Sequence, residues 1–365
     1  METIGRTELL RRRAHSHALS RQARLDGTPA AAKRLFALQG QDLPGVLWSL
    51  GVRTGATQDE VRDAFNDATL VRTWPFRGTL HVLAAEDVHW VLALTAERTI
   101  RSAARRHAEL ELDERTLARA RDVVEQVLAG RRALGRKDLL ASLESAGIST
   151  AGQRGYHLLW HLSITGTTVL GPFDGAEQQF VLLEEWVPRR RKLDGDEALA
   201  ELARRYLAGR SPATTADLAW WTKLPLTAIR RGLAACGAEV EEVEHDGAAY
   251  WQPVQPIEGA DSARIQAAIL LPGFDEYLLG YTGRTAALAS EHAPLTVPGK
   301  NGVFKPTLVL RGRVAGVWSR KTIRSGTAVT VSPFAPLGSS DWNAVERAAA
   351  GYGRFLGTRV TVEKS

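Results

Sequence analysis

The sequence predicts an α+β protein made of tandem winged-helix repeats, each a helix-turn-helix closed by a β-wing, and finished by a β-rich C-terminal domain. Three observations predict it. Amphipathic helical stretches followed by paired β-like runs recur along the chain. From about Ala267 the character changes to short β-like runs with tight glycine turns. The chain is 44% hydrophobic and 24% charged, as expected of a globular protein, and its 365 residues imply two to four units rather than one core.

The first unit is expected over 1–130. ELLRRRAHSHAL and TPAAAKRLFAL read as helices, and ATQDEVRDAFNDATLVRTWPFRGTLHVL reads as a helix, a connector and a strand. The second, 131–188, is the clearest. Leu139, Leu140 and Leu143 of RKDLLASLESAG share one helical stripe ended by Gly147. STAGQRGYHLLWHLSITG then begins with a Ser/Thr cap and carries Tyr156, Leu159 and Trp160 on an apolar face. TTVLGPFDGAEQQFVLL supplies two β-like runs around a Gly/Asp turn, which completes a winged helix.

VPRRRKLDGD has the composition of a linker, its basic run reading equally well as a solvated tether or a phosphate contact. The third unit, 189–258, has a helix in ALAELARRYLAG, two short helices broken near Pro225, and a hairpin turning at Asp246-Gly247. In the last unit, 259–365, AAILLPGFDEYLLGY, KPTLVLRGRVAGVWSRK and GTAVTVSPF are β-like, and WNAVERAAAGYGRFLG is a closing amphipathic helix.

The formal charge is +6 with a pI near 9.6, carried mostly by arginine, whose planar fork suits phosphate. The lone Cys236 excludes an internal disulfide and a multi-thiolate zinc site. The basic N-terminus lacks the apolar core of a signal peptide, and no apolar run is long enough for a bilayer, so a cytoplasmic protein without a membrane partner is expected. YHLLWH lacks the glutamate of a zinc-binding HExxH, and His15 and His17 point to different helix faces, so no metal is expected. GxxxxGKS/T, GxSxG and a strand-to-helix GxGxxG are all missing, which leaves the common phosphate-loop, serine-hydrolase and dinucleotide chemistries without their motifs.

Two stretches remain. In LFALQGQDLPGVLWSLG an extended backbone places Gln39 and Gln41 on one face, with Gly40 allowing close approach between them. Paired amides offer donors and acceptors without charge and can clamp a water or a sugar oxygen; on spacing alone, helix-end capping accounts for them better. In TWPFRGTLHVL, Arg77, Thr79 and His81 alternate on one strand face, a surface suited to phosphate or an extruded base; a half-buried strand with a polar outer face fits equally well.

Together, LFALQGQDLPGVLWSLG, LVRTWPFRGTLHVLAAEDVHWVLALT, LLPGFDEYLLGY and FKPTLVLRGRVAGVW resemble the AlkZ/YcaQ-like DNA glycosylases over nearly the whole chain. The resemblance implies tandem winged helices arranged as a C around duplex DNA, with a β-rich C-terminal part. It implies a catalytic Gln-x-Gln motif at Gln39 and Gln41. The family's middle residue is usually aliphatic; Gly40 departs from that and bears on the substrate more than on the reaction. Asp42 stands next in line should the register differ. The implied activity is hydrolysis of the N-glycosidic bond of N7-alkylated purines in double-stranded DNA, including bulky natural-product adducts or interstrand crosslinks in self-resistance repair. No cofactor is implied.

Lys33 is the nearest lysine and lies off the motif, so a monofunctional enzyme is expected. DNA contacts are expected from Arg77, Thr79 and His81, and from Arg320 and Lys321 at a hairpin end, where an exposed turn is the competing reading. A monomer is expected because tandem repeats supply the grip that dimerisation supplies elsewhere. The competing class is a winged-helix transcription regulator without catalysis.

Overall fold

The computed structural model describes residues 1–255, 258–260, 263–299 and 302–365. The protein is a mixed α+β chain that folds into two compact units, Arg62–Ala198 and the discontinuous pair Met1–Val61 with Leu199–Ser365. The boundary expected at 130 falls inside the first of these, and the segment expected over 1–130 is shared between both.

In the Arg62–Ala198 unit, two hairpins lie side by side. Leu70–Phe76 pairs antiparallel with Thr79–Ala84, and Thr168–Asp174 with Glu177–Leu182; Arg72 opposite Leu170 joins them. Leu128, Leu139, Leu143, Leu158 and Leu162 form the fully buried centre of the helices packed on these strands. The leucine stripe of the Arg136–Ser145 helix thus faces the core as its spacing predicts. Two local expectations differ. The Arg154–Ile164 helix starts later than the Ser/Thr cap suggested, because Thr150 is occupied by hydrogen bonds from its hydroxyl and N–H to Glu144. Tyr156 is 37% exposed rather than buried, its ring packed edge-to-face with Trp74. The expected tether is pinned: Arg191 donates to buried Asp87 at 3.0 Å, and Arg190 to Glu184 at 2.8 Å.

In the other unit, Val240–His245 and Ala248–Pro253 form the hairpin expected at Asp246-Gly247, where both residues take positive φ. Glu2–Thr3 adds to it as a parallel strand, Glu2 opposite Val243. Thr214 and Asp217 close a capping box on the Thr215–Thr222 helix, and Pro225 immediately precedes the Leu226–Ala235 helix. The C-terminal sheet runs in the order Val360–Lys364, Gly326–Pro333, Arg313–Ile323, Thr307–Leu310, Ala268–Leu271. The Leu43–Thr54 helix packs on it: Trp48 donates its indole N–H to Leu270 O at 2.7 Å and meets the rings of Tyr352 and Phe355 on the Ser339–Leu356 helix. These long-range bonds place the N-terminal residues with the C-terminal sheet. No helix among the described residues is long and apolar enough to cross a membrane.

Candidate functional site

The Gly27–Leu35 helix ends at Phe36, whose φ of 63° turns the chain and whose buried ring meets Trp221. Ala37–Gln39 follows as a short, fully buried extended run. It is held by a charged pair from remote parts of the chain. Arg210, at the end of the Gly195–Arg210 helix, donates to Leu35 O at 2.8 Å and to Ala37 O at 2.7 Å. Glu276 accepts the Gln39 N–H at 2.9 Å through Oε1. Its Oε2 takes Arg210 at 2.9 Å and the Trp221 indole N–H at 2.8 Å. Arg210 and Glu276 are 0% and 1% exposed, and the guanidinium lies over Trp221, 4.3 Å from the ring centroid. Gly209 permits this approach, because a Cβ there would stand 2.7 Å from Arg34 O.

The neighbouring Asp275 secures the helix that follows the glutamines. Its carboxylate takes Arg53 at 2.8 Å and the Ser49 hydroxyl at 2.7 Å, both from the Leu43–Thr54 helix. Burial alone would push this carboxyl up; the Arg53 charge and hydrogen bonds, with the Tyr277 N–H and Ser49, outweigh it and hold Asp275 below the usual carboxylate range. A depressed native value makes the contribution to stability present above the unfolded value of about 3.9 and lost as pH falls through the native value. Urea unfolding of Asp275→Asn is therefore expected to show about 3 kcal/mol less stability at neutral pH. The gap to wild type narrows once pH drops below about 4. A constant gap would contradict this account.

At the pair itself, the extended run ends at Gln39, so strand alternation does not carry Gln41. Gln39 is 6% exposed, and its side-chain oxygen accepts the Gln41 N–H at 3.1 Å. The two residues are therefore linked, and not simply parallel: the Gln39 amide fixes the bend that leads into the Leu43–Thr54 helix and leaves the Gln41 side chain exposed. Capping-type satisfaction of a backbone N–H and presentation of an amide coexist in one motif. Asp42 occupies the N-cap position, but its carboxylate makes no capping hydrogen bond.

The other expected site residues are placed differently from their sequence reading. Arg77 is not on the strand; with Gly78 it forms the positive-φ turn between Leu70–Phe76 and Thr79–Ala84. His81 is 0% exposed and its ring meets Phe76 edge-on, so its strand face is not a polar outer surface. Its Nδ1–H donates to Thr79 O at 2.9 Å, which leaves Nε2 to accept from Arg77 at 3.1 Å. His81 thus backs Arg77 and is not a surface contact itself; Arg77 and Thr79 are half-buried. Arg320 and Lys321 stand opposite Val329 and Ala328, back from a turn that falls at Arg324-Ser325. Both are exposed, and Arg320 hydrogen-bonds the Tyr352 phenol.

His157 and His161 pack edge-on with His107 and Trp160, and burial holds His161 neutral down to about 4. Among the described residues, no group of three or more His, Cys, Asp or Glu is arranged to hold a metal.

Sequence reading assigned no role to Arg53, Arg210, Trp221, Asp275 or Glu276. The available signal was the acidic pair inside apolar LLPGFDEYLLGY: carboxylates in such a setting are buried and require cations.

The sequence profile of a family described as "DNA glycosylase AlkZ-like" matches residues 32–355. A Streptomyces sahachiroi protein named "Interstrand DNA cross-link repair glycosylase" is 28% identical over 351 residues, covering 89% of each chain. The solved structure titled "Streptomyces sahachiroi DNA glycosylase AlkZ" superposes at a TM-score of 0.82 over the full length of both chains, at 24% identity, which establishes likeness of fold.

Proposed function

The chain belongs to the AlkZ-like DNA glycosylase family, a hydrolase acting on N-glycosyl bonds, and we propose that it excises N7-alkylated purines from duplex DNA as a monofunctional enzyme. The observation that carries the reading is the Gln39–Gln41 pair, held by the buried Glu276–Arg210 couple and turned so that the Gln41 side chain is exposed. An N7-alkylated purine is cationic, so the base departs readily once extruded from the stack. What remains is to position a water at the anomeric carbon and to stabilise the oxocarbenium charge, and neutral amides on a fixed backbone suit both tasks. A carboxylate pair of the sugar-hydrolase type is not required.

The helix-and-hairpin segments are read as three tandem winged helices that bind duplex DNA, ahead of the β-rich C-terminal domain. Arg77, backed by His81 and flanked by Thr79, contacts the DNA, and Arg320 and Lys321 add phosphate contacts. The relative named for interstrand crosslink repair extends the proposal to bulky adducts and crosslinks. Gly40 brings no side chain between the amides, which favours a larger adduct. The enzyme works as a cytoplasmic monomer without metal or cofactor. The regulator reading has no support from the comparisons.

The test is incubation with a duplex carrying one 7-methylguanine, followed by alkali. Strand breaks at the lesion are expected from wild type. Sequence-specific retention of undamaged duplex with no abasic product would overturn the proposal.

A further inference from the structure

A second basic feature lies at the far end of the Leu43–Thr54 helix. At about 1.5 Å per residue, this 12-residue helix sets its ends about 18 Å apart, so the feature is separate from the glutamine pair. It is a cavity of about 340 Å³, lined by Arg21, Arg24, Arg347 and Arg354 and by no carboxylate. Arg53 also reaches it, but its charge is matched by Asp275. The other four arginines are exposed, and none has an ion pair or a ring stack among the described residues.

The cavity is built and not merely a crowded surface. Arg24 lies across the helix end, its Nε donating to Thr54 O at 2.8 Å. It reaches there only because Gly55 caps the helix in the left-handed conformation; a Cβ at that position would collide with the guanidinium. This bond answers the partial negative charge of the helix C-terminus, which would otherwise oppose an anion. Arg347 and Arg354 are seven residues apart on the Ser339–Leu356 helix, about two turns along one face. Trp48, Val52, Ile269 and Phe355 give the cavity an apolar floor, which lowers the local dielectric and strengthens charge interactions above it. Four guanidiniums gathered without a carboxylate repel one another until an anion joins them, and their planar forks match phosphate oxygens.

We propose that this cavity is a phosphate-binding site, filled by a phosphodiester of bound DNA or by a free phosphate. The DNA source rests on the proposed function; the free-phosphate source does not.

The test compares wild type with Arg347→Gln/Arg354→Gln in the full-length chain. Thermal melting is followed in inorganic phosphate and in chloride at matched ionic strength. Affinity for an undamaged duplex is followed across salt concentrations. For a free-phosphate site, phosphate raises the wild-type Tm and the double variant loses most of that rise. For a DNA phosphodiester, the slope of log K against log salt falls by about 0.9 for each phosphate that is no longer neutralised, and excision of 7-methylguanine at low salt is retained. A variant matching wild type in both measurements overturns the site. Absence of duplex binding and base release in wild type would instead overturn the proposed function, and the phosphate melting arm would still decide this site.

Discussion

Alanine at Gln41 is expected to lower the single-turnover rate of base release by about 10² to 10³-fold, the usual loss when one positioned transition-state donor is removed. Affinity for the same lesion-bearing duplex should stay within about twofold, because phosphate contacts dominate duplex affinity and a single neutral amide adds little to it. Gln39→Ala should cost a similar factor for a partly different reason. It removes an amide and also the acceptor of the Gln41 N–H, so the bend into the Leu43–Thr54 helix loses its internal tie. Gln39→Glu keeps that acceptor and should recover part of the loss. If both alanine variants release base at wild-type rates, the pair is a helix-end cap and the chemistry lies elsewhere.

The second large effect belongs to Glu276. Glu276→Ala strips a buried guanidinium of its counter-charge and leaves the Gln39 N–H and the Trp221 indole N–H without their acceptor. Breaking one side of a buried pair typically costs about 3 to 5 kcal/mol, against a total stability of about 5 to 15 kcal/mol, so this variant should unfold at much lower urea. Glu276→Gln keeps one acceptor oxygen and the shape of the side chain. It is expected to fold, to melt lower than wild type, and to lose base release in excess of its loss of stability, because the Gln39 N–H and Arg210 lose their charged acceptor. Wild-type stability in Glu276→Ala would show that Arg210 finds its partner elsewhere.

Local periodicity explains what was legible. Leu139 and Leu143 lie one turn apart and are buried on the face their spacing predicts, and Asp246-Gly247 turns the hairpin that dipeptide favours. QGQ stands out by its oddity, two amides before an apolar helix, and by the company of the later motifs. Other features had no local signal. The Gln39–Glu276 bond spans 237 positions, and the pairing of Glu2 with Val243 is as remote, so no window of sequence contains either partner's reason. The hairpin around His81 misled in another way. Alternation is a sound guide to one-sided burial, but both faces of this strand are buried, His81 as fully as Val82, and Arg77 moved into the turn.

Hydrolytic release of an alkylated purine is assigned to the glutamine pair. Its most direct measurement is incubation of wild type and Gln39→Ala/Gln41→Ala with a 7-methylguanine duplex in ¹⁸O-labelled water, with both products read by mass spectrometry. Expected are free 7-methylguanine, one labelled oxygen on the abasic sugar, no adduct trapped by borohydride, and no release by the double variant despite retained DNA binding. Release that persists in the double variant, or a borohydride-trapped protein–DNA adduct in wild type, would contradict this assignment.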